Sequence, residues 1–199
     1  MAFFSSLPKT AHLADVFAQF PRGLEALMAF HDAVLRQESE LSIGEREMIA
    51  AYVSALNDCQ FCFNSHRVYS AKFGVDPELF DALMTDIESA PVSARLKPLL
   101  KYAHKLTKEP AKMMQADVDA VIHAGWSETA VHDAMLVVCL FNFMNRLIFG
   151  HGLDSHDSMY KERLNDALAK SHEDRKAANQ ESVGEQTYQG FMAQLRKDR

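Results

Sequence analysis

The sequence predicts an all-α domain, and three observations support this prediction. Apolar residues recur at the three- and four-residue spacing of a helix face through most of the chain. Residues that favour helix starts, such as Ser42 with Glu45, stand where apolar runs begin. The 199 residues are 48% hydrophobic, which is enough apolar material for the core of one compact multi-helix domain.

The caps and glycines place the expected helices. We predict helices at about 23–37, 42–56, 59–73, 76–87, 93–107, 116–124 and 127–149. Gly74, Gly125 and Gly150 are expected to end three of them. The stretch up to Phe20 is ambiguous because prolines interrupt it on both sides.

Composition narrows the possible partners. The net charge of -6 leaves no basic field for a phosphate backbone, so we expect no nucleic-acid partner. No apolar run approaches the roughly 20 residues that span a bilayer, and residues 1–10 lack signal-peptide features. We therefore expect no membrane partner and a cytoplasmic location, where a close cysteine pair is typically catalytic or metal-binding.

The motif Cys59-Gln60-Phe61-Cys62 opens the predicted third helix. The helix dipole and free backbone N–H groups stabilise a thiolate at such a position. The i, i+3 spacing puts both sulfurs on one face, within reach of a disulfide. His66 lies four residues after Cys62 on that face, where its imidazole can accept or relay the thiol proton.

Glu47 is the candidate acidic partner. It projects from the preceding helix on the same side as Ala50, Ala51 and Ser54, whose small side chains allow another helix to approach closely. A carboxylate on that face can be buried beside the thiols and join a proton relay. The alternative is that Glu47, like Glu45, only favours the first turns of its helix.

Other interpretations of the cysteine pair remain open. Cys59, Cys62 and His66 could supply three zinc ligands, with His104 or another histidine as the fourth. A buried, inert pair is also possible, because cysteine is often a core residue. Phe63 follows the second cysteine, which excludes c-type haem attachment, and the missing strands exclude a thioredoxin fold.

The predicted last long helix carries a third cysteine and a polar cluster. Cys139 lies in the apolar run 135–141, so we expect it to be buried as a small hydrophobe. Asn142, Asn145 and Arg146 follow at i, i+3, i+4 spacing and are expected to form a structural hydrogen-bonded cluster. Three other histidines are candidates for lining a pocket: His31, His132 and His151.

These residues together resemble a known family. Glu47 followed by Cys59, Cys62 and His66 resembles the alkyl-hydroperoxidase D-like family, within the carboxymuconolactone decarboxylase-like superfamily. The stretch 55–66 resembles its core motif, and 141–146 resembles a later helix of its peroxidase-related branch. The resemblance covers roughly residues 41–150.

The resemblance implies an all-α fold, assembly into homotrimers or homohexamers, and reduction of a hydroperoxide without a cofactor. It implies that Cys62 is the peroxidatic thiol, that Cys59 resolves, and that Glu47 and His66 relay the proton. An external thiol such as a lipoylated protein is the implied reductant. The best-known members have a second histidine where this chain has Phe61, so the relay is shorter here or water replaces the imidazole.

We therefore predict a helical redox domain over residues 1–152 that acts as a thiol-dependent peroxidase in antioxidant defence. A thiol–disulfide redox sensor or disulfide reductase is the alternative, and a zinc-binding structural module is the second. Residues 153–199 are predicted to form a charged extension of one or two peripheral helices, partly disordered or packed on a neighbouring subunit. Its sparse apolar anchors are Leu164, Leu168, Phe191 and Leu195.

Overall fold

A computed structural model describes residues 1–170, 173–174 and 187–190 of the chain. The described residues form α-helices and one 3₁₀ turn, without a strand, which confirms the predicted all-α class. The helices are α1 (Leu13–Gln19), α2 (Leu24–Leu35), α3 (Ile43–Leu56), α4 (Gln60–Lys72), α5 (Leu79–Thr85), α6 (Leu96–Lys108), α7 (Gln115–His123), α8 (Glu128–His151) and α9 (Asp157–Leu168).

Helix α3 lies at the centre of the bundle. It packs along α4 on one side and against α8 and α6 on the other, and nearly all of its residues are buried. Gly44 allows the close approach at its start, because a Cβ there would come within 2.8 Å of the Phe73 carbonyl oxygen. The packing of α3 on α4 brings Glu47 to the helix that carries the cysteines.

Local caps fix the start of α3 and the turn into α4. Ser42 and Glu45 form the predicted capping box, with the Glu45 amide donating to Ser42 Oγ at 3.2 Å. Asp58 takes a left-handed conformation with φ 57°, which reverses the chain between α3 and α4. The short turn places the first cysteine directly at the N-cap of α4.

Several predicted helix ends shift in the structure. Helix α8 runs through Gly150 and ends at His151, and Gly152 follows as its C-cap with a φ of 65°, which suits the left-handed C-cap position. Ser93 lies in a turn before α6, which begins without a side-chain cap. The ambiguous N-terminal stretch contains α1, which His12 caps.

Helix α8 corrects one expectation. Among the described residues it is the one helix that is long and apolar enough, by length and composition, to cross a membrane. Its buried face instead packs against α2, α3 and α6. Cys139 is exposed on the opposite face with Phe143 and Phe149, so the prediction that it is buried is wrong. The run is apolar all round, so its sequence does not show which side faces the core.

The C-terminal extension is described in part. Helix α9 packs on α4, and its residue Tyr160 is buried there while Leu168 is exposed. Thr187 to Gly190 form a second described segment, which lies against α2. The predicted anchors Phe191 and Leu195 lie outside the described residues.

Candidate functional site

The two motif cysteines lie together at the start of α4. Cys59 is the N-cap residue and Cys62 falls in the first turn, as the spacing predicts. Both are free thiols with 1% and 4% of their surface exposed, and their side chains hydrogen-bond to each other. The pair is therefore in contact in its reduced form and shielded from bulk water.

Negative charge is favoured on the first of the two thiols. A hydrogen bond from the Cys62 side chain, helped by Asn145, lowers the pKa of Cys59 against the effect of burial. The same hydrogen bond, together with burial, raises the pKa of Cys62 well above its usual value. In the resting dithiol Cys59 is thus the better thiolate, whereas the resemblance assigns the attack to Cys62.

A network of neutral amides supports the thiols. Asn145 on α8 is buried, donates to Ser54 Oγ at 3.0 Å and hydrogen-bonds both cysteines. Asn57, in the turn before the motif, donates to Asn145 Oδ1 at 2.9 Å and to Asn142 Oδ1 at 3.2 Å. The predicted structural cluster exists and also reaches the sulfurs. Arg146 takes a peripheral part, since it is exposed and donates to Asn142.

Glu47 and His66 form a buried pair next to this network. Glu47 is 0% exposed, and its Oε2 lies 2.5 Å from His66 Nδ1. Its other oxygen accepts a hydrogen bond from Arg36 Nη1 at 2.6 Å. The small side chains at Ala50 and Ala51 are fully buried on the same helix. Sequence reasoning missed Arg36, because it follows α2 and meets Glu47 only through tertiary packing.

Glu47 is ionised at neutral pH. Burial alone raises the pKa of its carboxyl group, but Arg36 and then His66 outweigh it and lower the pKa to about 2. The same ion pair raises the pKa of Arg36, although burial opposes it. A permanent carboxylate accepts the Nδ1–H of His66, which leaves Nε2 as the ring nitrogen able to take a proton.

One cavity of about 110 Å³ connects the two parts of the site. Cys62 and His66 both line it, as their i, i+4 spacing predicts, together with Arg36. No direct hydrogen bond joins Cys62 to His66 among the described residues. A molecule bound between these two side chains can therefore contact the thiol and the imidazole at once. Apolar side chains form much of the wall: Leu13, Phe17, Met28, Phe61, Phe141 and Met144.

Of the three histidines considered for a pocket, one lines this cavity. His31 is buried, its Nδ1 donates to the Leu27 carbonyl at 2.8 Å, and burial lowers its pKa to about 4. His132 is exposed, and His151 packs against Phe4 instead. A further histidine, His12, lines the cavity from the start of α1 and was given no role by sequence reasoning.

The described end of the extension also reaches the site. The Tyr188 hydroxyl lies 3.5 Å from Glu47 Oε1, and its ring lies 5.1 Å from the Arg36 guanidinium carbon. The Tyr188 backbone amide donates to Asp32 on α2 at 2.6 Å. Tyr188 thus lines the cavity beside the ion pair, a position that no local pattern predicts.

The zinc alternative finds no ligand set in the part of the chain that the structure describes. No three His, Cys, Asp or Glu side chains there come together as metal ligands. His66 turns Nδ1 to Glu47, and His104 lies near Tyr52, with ring centroids 6.5 Å apart.

Comparison with known proteins agrees with this fold. An alkylhydroperoxidase AhpD core structure, an uncharacterized peroxidase-related protein from Ralstonia eutropha JMP134, superposes with a TM-score of 0.68, 26% identity and coverage of 73% of this chain and 77% of that one. An uncharacterized peroxidase-related protein from Silicibacter sp. TM1040 gives a TM-score of 0.66, 30% identity and coverage of 71% and 74%. The uncharacterized protein YdfG of Bacillus subtilis is 24% identical over 132 residues, 66% of this chain and 88% of its own length.

These likenesses define the class as alkyl-hydroperoxidase D-like, which confirms the resemblance drawn from the motif. The chain belongs to the PA26 p53-induced protein (sestrin) family, whose model matches residues 1–197 and which lies within the carboxymuconolactone decarboxylase-like superfamily.

Proposed function

We propose that this protein is a thiol-dependent peroxidase that reduces hydroperoxides with the Cys59–Cys62 pair. One observation carries the proposal: Cys62, hydrogen-bonded to Cys59, lines the same cavity as His66, which Glu47 holds in place. Pairs of this kind supply the thiolate and the proton acceptor that attack on a peroxide needs. The peroxidase-related names of the structural neighbours support the same class.

The first step uses the unequal acidity of the two thiols. The Cys62 proton passes along the existing hydrogen bond to the Cys59 thiolate, which leaves the charge on the sulfur that lines the cavity. The Cys62 thiolate attacks the terminal peroxide oxygen, so an S–O bond forms and the O–O bond breaks. The sulfur is oxidised to a sulfenic acid, and the alkoxide leaves as an alcohol after taking up a proton.

The second step closes the disulfide. Cys59 loses its proton and attacks the Cys62 sulfenic acid, which forms the S–S bond and releases water. Asn145 and the N-cap position, which favour charge on Cys59, assist this deprotonation. His66 accepts a proton at Nε2 and returns it to the departing oxygen, while Glu47 stabilises the charged ring.

The proposal includes an external dithiol that reduces the disulfide after each turnover. A lipoylated carrier protein is the proposed source, and a reducing cytoplasm is the proposed location. Turnover rates with dihydrolipoamide and with glutathione can be compared directly. Dihydrolipoamide, a dithiol, can resolve its mixed disulfide with the protein by closing its own disulfide, whereas a monothiol cannot. Faster turnover with dihydrolipoamide supports the dithiol source.

Hydroperoxide consumption with excess dihydrolipoamide tests the activity. We expect Cys62→Ser to abolish turnover and Cys139→Ser, which alters an exposed thiol outside the site, to retain it. Equal rates of hydroperoxide consumption for wild type and Cys62→Ser would contradict the proposal. A disulfide that forms reversibly without turnover would instead favour the redox sensor.

We also propose a homo-oligomer, a trimer or hexamer, built on the exposed face of α8. Cys139, Phe143 and Phe149 are exposed there together with Arg146, and aromatic side chains and arginine are enriched at interfaces. Sedimentation of wild type against Phe143→Ser measures this directly. Identical monomeric species for both proteins would contradict the assembly.

A further inference from the structure

His12 has one ring nitrogen engaged and the other without a partner. As the N-cap of α1 it accepts from the Ala14 amide through Nδ1 at 3.5 Å, while its own backbone amide donates to Asp15 Oδ2 at 2.9 Å. Its Nε2 is buried and has no hydrogen-bond partner among the described residues. Buried polar atoms are nearly always paired, so an unpaired one on a residue that lines a cavity is a candidate to bind a ligand there.

The cap fixes the tautomer of this ring. Because Nδ1 accepts a hydrogen bond, the neutral imidazole carries its proton on Nε2. Burial, then His156 and Arg163, lower the pKa of His12, and Asp15 opposes them only in part. The ring is therefore a neutral N–H donor at physiological pH.

The residue that carries this donor lines the cavity that Cys62 lines. The His12 ring lies 5.0 Å from the ring of Phe61, the residue that directly precedes Cys62, and both His12 and Cys62 line the cavity. His66 lines the same space from α4. The two histidines thus come from different helices and have different partners. His66 Nδ1 is hydrogen-bonded to the carboxylate of Glu47, whereas His12 Nδ1 accepts from a backbone amide.

We propose that His12 is a catalytic residue whose Nε2–H donates a hydrogen bond to the departing oxygen of the hydroperoxide. This inference rests on the proposed peroxidase function. As the Cys62 thiolate bonds to the terminal oxygen, the O–O electron pair passes to the other oxygen, and His12 stabilises that developing alkoxide. The proton that completes the alcohol is the one that the cysteine pair loses on ionising and that His66 returns from Nε2, so His12 keeps its own.

Two substitutions separate the donor from the helix cap. His12→Asn keeps a side chain favoured at the N-cap but is too short to reach as Nε2 does. His12→Gln keeps an amide donor at similar reach and weakens the cap. Each variant is measured, in the full chain, for the rate of oxidation by tert-butyl hydroperoxide and for the rate of Cys62 alkylation by iodoacetamide, resolved by peptide mass. Alkylation releases iodide, which leaves with its own charge and needs no such donor.

We expect His12→Asn to lower the peroxide rate about tenfold to hundredfold, with Cys62 alkylation unchanged. His12→Gln should recover most of the peroxide rate. Equal peroxide rates for wild type and His12→Asn would overturn the inference, as would equal losses in both reactions, which indicate a structural role. A wild type that consumes no hydroperoxide overturns the proposed function and this inference together.

Discussion

The two halves of the site hold charge in different ways. Around Glu47, two buried partners hold a fixed carboxylate: Arg36 at 2.6 Å and His66 at 2.5 Å. Around the cysteines, the partners are a neutral amide and the other thiol, and the hydrogen bond between the two sulfurs favours the negative charge on Cys59. In the proposed mechanism, the ion pair therefore orients the histidine, and the two thiols carry out the chemistry.

The largest expected effect is a loss of stability when the Glu47 carboxylate is removed. Glu47→Gln leaves the Arg36 guanidinium buried without its carboxylate, and removing one partner of a buried pair costs about 3–5 kcal/mol of unfolding free energy. Urea denaturation measures this loss. The matched control is Glu45→Gln, two residues away, which changes only the capping box and should cost about 1 kcal/mol or less. Similar losses in both variants would contradict the ion-pair account.

The next effect is a pH dependence of the unfolding free energy, caused by the buried histidine His31. The folded-state pKa of His31 is lowered by burial to about 4, so the unfolded chain binds the proton first as the pH falls below 6.5. The stability from neutral His31 is thus full above pH 6.5 and lost as the pH falls to about 4, with an upper size of about 3 kcal/mol. Unfolding free energies measured from pH 7 to 5 should fall in wild type and fall less in His31→Gln. Parallel curves for the two proteins would refute the assignment.

A smaller effect is expected on the acidity of the cysteine pair. Asn145→Ala removes an amide that favours the thiolate on Cys59, so the first thiol pKa should rise by about one unit. Thiolate absorbance at 240 nm during a pH titration reports this shift. Asn142→Ala is the control, because Asn142 bonds Asn57 and the Val138 carbonyl rather than the sulfurs. An unchanged titration of Asn145→Ala would show that the amide does not set the acidity.

The smallest effect concerns the contact from the C-terminal extension. The Tyr188 hydroxyl lies 3.5 Å from Glu47 Oε1, at the limit of a hydrogen bond, and Glu47 already has two closer partners. Tyr188→Phe should therefore cost less than about 0.5 kcal/mol of unfolding free energy. Thermal unfolding of this variant against wild type checks it. A loss as large as that of Glu47→Gln would make Tyr188 a third essential partner.

The parts of this site that the sequence predicted are local. The capping box at Ser42 and the spacing of Cys59, Cys62 and His66 depend on one helix each, so periodicity and dipole arguments reach them. The small side chains on the same face of the helix indicated that Glu47 can be buried, and the structure shows it fully buried. The all-α class followed from the same periodicities.

The parts that it missed come from distant segments. Three residues line the cavity from separate parts of the chain: Arg36 at the end of α2, His12 at the start of α1 and Tyr188 in the C-terminal extension. No spacing along the chain relates them to the cysteine motif. Cys139 was placed wrongly because the run 135–141 around it is apolar throughout. The relative acidity of Cys59 and Cys62 depends on a hydrogen bond whose direction only the folded geometry provides.

Capture of the sulfenic acid with dimedone tests the central claim most directly. One equivalent of hydroperoxide is added to reduced Cys59→Ser and, separately, to reduced Cys62→Ser, and the labelled peptide is identified by mass. The account predicts a dimedone adduct on Cys62 in the first protein and little or none on Cys59 in the second, because Cys62 is the thiol that lines the cavity. An adduct that forms as fast on Cys59, or on neither cysteine, would contradict it.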